Sequence, residues 1–135
     1  MESVESLFRR LEQLNDIGSA LSQEKNLESL LEKILIAAKT ITRADGGTLY
    51  LRTDDDRLRF AIVRTDSLGI AMGGTTGVEV PFYPIHLNNR EGESNFQMVV
   101  AYAAVSGNTV NIGDAYSEAG FDFSGTRNFD KKTGY

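Results

Sequence analysis

The sequence predicts an α+β domain built on an antiparallel sheet. Three observations predict it: two amphipathic helical stretches open the chain, a β-hairpin follows them directly, and helices do not alternate with strands as a parallel sheet requires. The chain has 135 residues, the size of one ordinary domain, and it can bury a core without cross-links.

Residues 3–22 carry no proline and a single glycine. Val4, Leu7, Leu11, Leu14, Gly18 and Leu21 recur at alternating spacings of three and four, the seam of a two-stranded coiled coil. Phe8 and Ile17 widen the stripe. Residues 1–22 are therefore expected to form a dimerisation and signalling helix, with the domain proper spanning 23–135. An amphipathic helix lying on its own domain is the other reading of the same stripe.

The polar break SQEKN at 22–26 ends the first helix, and Asn26 is suited to cap a second. Leu27, Leu30, Leu31, Ile34, Leu35, Ala38 and Ile41 then predict a broad stripe facing a sheet. Asp45-Gly46-Gly47 is expected to stop that helix. Thr48–Leu51 reads as a strand, Asp54-Asp55-Asp56 as a tight polar turn, and Leu58–Val63 as the returning strand of a hairpin, with Leu58, Phe60 and Ile62 on one face.

Residues 66–77 (DSLGIAMGGTTG) are expected to be a long Gly-rich connection, and 80–87 (VPFYPIHL), holding both prolines, an edge strand at best. Ser94 with Gln97 three residues on has the spacing of a capping box. Phe96, Val99, Val100, Ala103 and Ala104 continue it as a helical stripe, and Gly107 is placed to end it. Thr109–Ile112 is expected to be a short strand, and the rest an irregular polar and aromatic tail.

Composition excludes several classes of function. The chain contains no cysteine, which removes disulfides, thiolate metal sites, cysteine nucleophiles and thioether-linked cofactors. A net charge of −5 suits a phosphate backbone poorly, so nucleic acid is not an expected partner. No apolar run approaches the ~20 residues of a membrane span, and the charged N-terminus lacks the apolar segment of a signal peptide. A cytoplasmic protein without a membrane partner is expected.

Three motifs invite chemistry and are better read as structure. The Gly-rich 66–77 segment lacks the GK[ST] ending of a P-loop and opens onto extended chain. His86 is the only histidine and has no second ligand beside it in the sequence. Asp54–Asp56 lacks the alternating donors, the glycine and the final glutamate of a calcium loop. The tail is richer. Phe121, Phe123 and Phe129 are interleaved with Asp122, Ser124, Thr126, Arg127 and Asp130. Aromatic faces beside hydroxyl, guanidinium and carboxylate groups suit a pocket for a planar polar ligand. The same residues also suit a core edge whose polar groups cap the segment.

The segment GFDFSGTRNFDKKTGY, preceded by GNTVNIGDAY and TDSLGIAMGGTTG, resembles the GAF domain family. The stretch LNDIGSALSQEKNLESLLEKIL with ADGGTLYL after it is similar to a GAF start. The resemblance covers roughly residues 14–135, and the wording is nearest to GAF domains that precede bacterial HD or HD-GYP phosphohydrolase domains or nucleotide cyclases.

The resemblance implies an antiparallel sheet with the long N-terminal helices on one face and a ligand pocket of short helices and loops on the other. It implies a ligand site at Asp114, Phe121, Phe123, Thr126, Arg127, Asp130 and Thr133. The implied ligand is a small molecule, with cyclic nucleotides among the family's ligands; no metal and no catalytic residue are implied, and the missing cysteine argues against a covalently attached bilin. Thr126 and Arg127 stand where cyclic-nucleotide-binding members carry Asn and Lys. Arg127 and Asp130 are expected to pair as that Lys and its Asp do. The implied partners are a second copy through the N-terminal helices and an output domain in the same parent protein. A dimerising scaffold without a ligand is the alternative. The family continues past TGY into two strands and a helix, so the closing strands are expected beyond Tyr135.

Overall fold

The computed structural model describes residues 3–88, 92–115, 120–123, 127 and 130–132. The fold is α+β with an antiparallel sheet. Helix α1 spans Val4–Gln23 and helix α2 Leu27–Thr42. Strand β1 follows at Gly46–Arg52, β2 at Arg57–Thr65, β3 at Ile70–Gly73 and β4 at Ile85–His86, and helix α3 closes the series at Val99–Ser106.

Both long helices begin at side-chain caps. Ser3 Oγ accepts the Ser6 amide at 3.1 Å and Asn26 Oδ1 accepts the Ser29 amide at 3.0 Å, each satisfying a first-turn donor that the helix leaves unpaired. The glycines at 46 and 47 do not end α2. Arg43 does, in the left-handed region at φ 57°, and both glycines belong to β1. Gly47 is needed there, because a Cβ on it would lie 2.8 Å from Leu35 Cδ1; α2 rides directly on β1 at this point.

The hairpin forms as its sequence indicates, β1 against β2, with Gly46 opposite Thr65 and Arg52 opposite Leu58. One correction follows from its register. Leu49 pairs with Ile62 and Tyr50 with Phe60, so Ala61 is a bulge. An extra residue reverses the alternation of side chains, and Ile62 does not share a face with Leu58 and Phe60. Leu35, Ala61 and Ile62 form one core with Leu31, Leu49 and Leu51, under α2. Leu58, Leu87 and Ala101 form a second with Tyr50, Ile85, Met98 and Val100, under α3.

The Gly-rich stretch is not one long loop. Residues Ile70–Gly73 pair antiparallel with β2 as β3, between two turns. β4 also pairs with β2, Leu58 opposite Ile85. Because Leu58 pairs with β1 as well, β3 and β4 share the other edge of β2, at its two ends.

Three further expectations are corrected. The stripe of α2 that faces the sheet is Leu31, Glu32, Leu35 and Lys39, whereas Leu27, Ile34 and Ile41 are exposed. Helix α3 starts at Met98 without a side-chain cap. Ser94 instead bridges to Asn88, and the Asn95 amide bonds the Leu87 carbonyl at 2.7 Å. Residues 109–112 join no ladder among the described residues. Gly107 does end α3, at φ 72° with its amide on the Ala103 carbonyl.

Among the described residues no helix is long and apolar enough to cross a membrane.

Candidate functional site

Two places gather side chains of functional interest, one on each face of the sheet. On the α3 face, aromatic rings form a chain. Phe96 meets Tyr102 at 5.5 Å between ring centroids, Tyr102 meets Phe121 at 5.7 Å, and Phe121 meets Phe123 at 6.3 Å, all edge to face. That geometry sets the positive ring edge of one against the negative face of the next. The tail reaches α3 by backbone too: the Asp122 amide donates to the Gln97 carbonyl at 2.7 Å.

The structure thus brings Phe121 and Phe123 together, half-buried, against Tyr102. The Arg127 amide donates to the Phe123 carbonyl at 3.0 Å. The Arg127 side chain is exposed and Asp130 is half-buried. Asp114 is exposed, eight residues beyond the end of α3. Thr126 and Thr133, like Ser124 and Phe129, lie outside the described residues. Sequence reading missed Phe96 and Tyr102 as partners of the tail. Their spacing of six on the same helix region was visible, but the contact with residue 121 is tertiary.

A second aromatic group lies on the same sheet face. Tyr50 and Phe60 are 4.7 Å apart and Phe60 and Phe82 5.2 Å. Burial pushes the Tyr50 phenol above its ordinary range.

On the α2 face the unexpected feature is charge. Glu32 is 7% exposed, yet it sits on the sheet-facing line of its helix. Its carboxylate accepts from the Thr75 hydroxyl, from the Thr75 amide at 3.2 Å and from Arg64 Nη2 at 3.1 Å. The Thr75 hydroxyl first, and then Arg64, hold the carboxyl below its usual range against the opposing effect of burial. Gly74 makes room for it, since a Cβ there would meet Glu32 Oε1 at 2.8 Å. Two helical turns on, Lys39 Nζ reaches Asp66 Oδ1 at 2.6 Å. These pairs clamp α2 to the turns at either end of β3. The Glu32 carboxylate is shared between Thr75 and Arg64, and holding α2 on the sheet is a structural role.

The acidic turn at 54–56 is also committed. Asp56 pairs with Arg52 at 2.8 Å, and Asp55 accepts from Arg57 and Thr53. The Arg57 guanidinium, then the Thr53 hydroxyl, hold Asp55 at about 2. No group of three or more His, Asp or Glu among the described residues has a metal-binding arrangement.

Comparison of the sequence with protein-family models finds no match, and none is found among curated proteins or among solved structures.

Proposed function

We propose that the chain is a GAF-like sensory module of a bacterial signalling protein, cytoplasmic and not itself catalytic. In this reading it binds a small molecule on the α3 face, a cyclic nucleotide being the first candidate. It passes the signal through α1, as a dimer, to an output domain such as an HD-GYP phosphohydrolase. The observation that carries the reading is the docking of the tail aromatics on α3. Phe121 and Phe123, beside Tyr102, offer a planar ligand stacking surfaces, and the Arg127 amide bonds the Phe123 carbonyl. The order of elements supports it as well: two long helices, one of them laid on an antiparallel sheet, and shorter elements on the opposite face.

A thermal-shift titration with cyclic AMP and cyclic GMP tests it. At a hundredfold excess over Kd, binding to the folded state alone adds about 2.7 kcal/mol, a rise of several degrees in a domain of this size. Phe121→Ala is expected to abolish that rise while the free variant still melts cooperatively. No rise with either nucleotide, or an undiminished rise in Phe121→Ala, removes the assignment.

One observation favours the alternative of a ligand-free scaffold. The rings of Tyr102, Phe121 and Phe123 pack on one another, so they already satisfy part of the contact a ligand would make. A flat titration with an intact dimer is the result that this second reading expects.

A further inference from the structure

Strand β3 spans only four residues, and its ladder runs to β2 alone. No residue of β3 belongs to the core that seats α2, which draws on α2, β1 and β2. The helix nonetheless holds both ends of the strand. At the Gly73 end, Glu32 accepts from the Thr75 hydroxyl and amide. At the Ile70 end, Lys39 reaches Asp66. Asp45, three residues past the end of α2, strengthens that end. Its carboxylate accepts from the amide and hydroxyl of Ser67, and its carbonyl accepts from the Asp66 amide.

The spacing of the two tethers fits the strand. Glu32 and Lys39 are two helical turns apart, about 10.5 Å along the axis, and Ile70 to Gly73 covers about 10 Å of strand. Two kinds of contact therefore hold α2, and they respond differently to a small shift. Apolar burial is non-directional, so a slide of ~1–2 Å, the size of helix shifts in many allosteric transitions, leaves the core largely covered. Hydrogen bonds do not survive such a slide, because their donor–acceptor distances are confined to about 2.7–3.2 Å. The Arg64 bond to Glu32 has little in reserve. It is a single contact from Nη2 at 3.1 Å, and Arg64 Nε is buried without a partner, whereas a two-pronged guanidinium–carboxylate pair would engage two donors.

We infer that β3 is a strap whose hold on the sheet is set by the position of α2. With the helix seated, Glu32 and Lys39 pin the turns at both ends and the strand lies along β2. A shift of α2 along its axis breaks the pins while the apolar seat persists, and a four-residue ladder is left to hold alone. Release uncovers the edge of β2 from Ile62 to Thr65, where Ile62, Val63 and Thr65 are buried while the strap is on. Helix movement is thereby converted into order or disorder of a strand. The docked and the released strap are the two states that such coupling requires. The device does not depend on any ligand of the α3 face.

Amide hydrogen exchange of the whole chain tests it, residue by residue. Asp66→Asn/Thr75→Val removes the turn-side half of both tethers at exposed positions and leaves α2 and its core unaltered. It is expected to speed exchange in β3 about tenfold with β1 unchanged, the mark of a local opening. Unchanged exchange in β3, or an equal rise in β1, overturns the inference. Leu35→Ala is the second arm. Leu35 lies in the core that seats the helix, and that core includes no residue of β3. In the parent chain it should speed β3 exchange about tenfold relative to β1, and in the Asp66→Asn/Thr75→Val background it should add nothing to that ratio. The same increment in both backgrounds shows that the helix does not act on β3 through the tethers, and overturns the inference. Leu35→Val, a smaller cut, carries the same comparison where circular dichroism shows that Leu35→Ala has not folded.

Discussion

Alanine in place of Gly73 is expected to lower stability by about 3 kcal/mol or more. The residue has φ +79°, and a Cβ on it would stand 1.9 Å from the Ala61 carbonyl oxygen. The left-handed conformation alone costs a side-chain-bearing residue roughly 1–2 kcal/mol. The overlap adds more, because the oxygen belongs to backbone and cannot rotate away. Relief requires β3 to lift from β2, which breaks the register that sets Gly73 opposite Ile62 and Ile70 opposite Thr65. Gly69 supplies the control: it too has positive φ, +65°, but its Cβ direction is open. Gly69→Ala should therefore show the conformational cost alone, about 1 kcal/mol. Urea melts of both variants measure this as a fall in midpoint at constant slope. Equal losses would mean that β3 does not approach β2 so closely.

Removing Glu32 is expected to cost a similar amount, about 3 kcal/mol for Glu32→Ala. Breaking a buried ion pair by deleting one partner leaves the other without compensation, a loss of ~3–5 kcal/mol when fully enclosed; Arg64 is partly open to solvent, which places the value at the low end. Glu32→Gln keeps an acceptor for Thr75 and loses only the charge, so it should fall between. The sign of the pH dependence follows from the lowered pKa. The folded carboxyl titrates below its ordinary 4.5, so its contribution is complete above that value. It is lost as pH falls through the folded pKa. The gap in stability between the parent chain and Glu32→Gln should thus be constant from neutral pH to about 4.5 and then narrow. A gap that widens on acidification would refute the arrangement around Thr75.

Much of the fold is legible in local chemistry. Asn26 and Gly107 mark helix boundaries by backbone needs that few residues meet, and the hairpin follows from two β-rich runs around an Asp turn. What escapes is chosen between segments. Helix α2 carries two apolar rows, Leu31/Leu35 and Leu27/Ile34/Ile41, and periodicity cannot say which one faces the sheet. The answer depends on Glu32 and Lys39 finding Arg64, Thr75 and Asp66, far away in sequence. The bulge is hidden because residues 60–63 are all apolar. The capping-box spacing at Ser94 is real, yet the bridge to Asn88 claims that backbone first. Glycines 69, 73 and 74 made β3 look like a loop, although they bound the strand. For the site, the tail's aromatics stood out from composition; Tyr102, on which they rest, did not.

Strand β2 is the partner in every ladder of the sheet: β1 along one edge, β3 and β4 at the two ends of the other. Such a sheet has no redundancy. Amide hydrogens at the ends of β2 cannot reach solvent until a neighbour has left. Those of β3 and β4 are freed when a short segment of four or two residues peels away. Deuterium uptake should accordingly be graded, fast in β4 and the β2 amides bonded to it, slower in β3 and its β2 partners, and slowest in the β2 amides bonded to β1. The chain is thus built so that its outer strands can be shed one at a time while the hairpin persists.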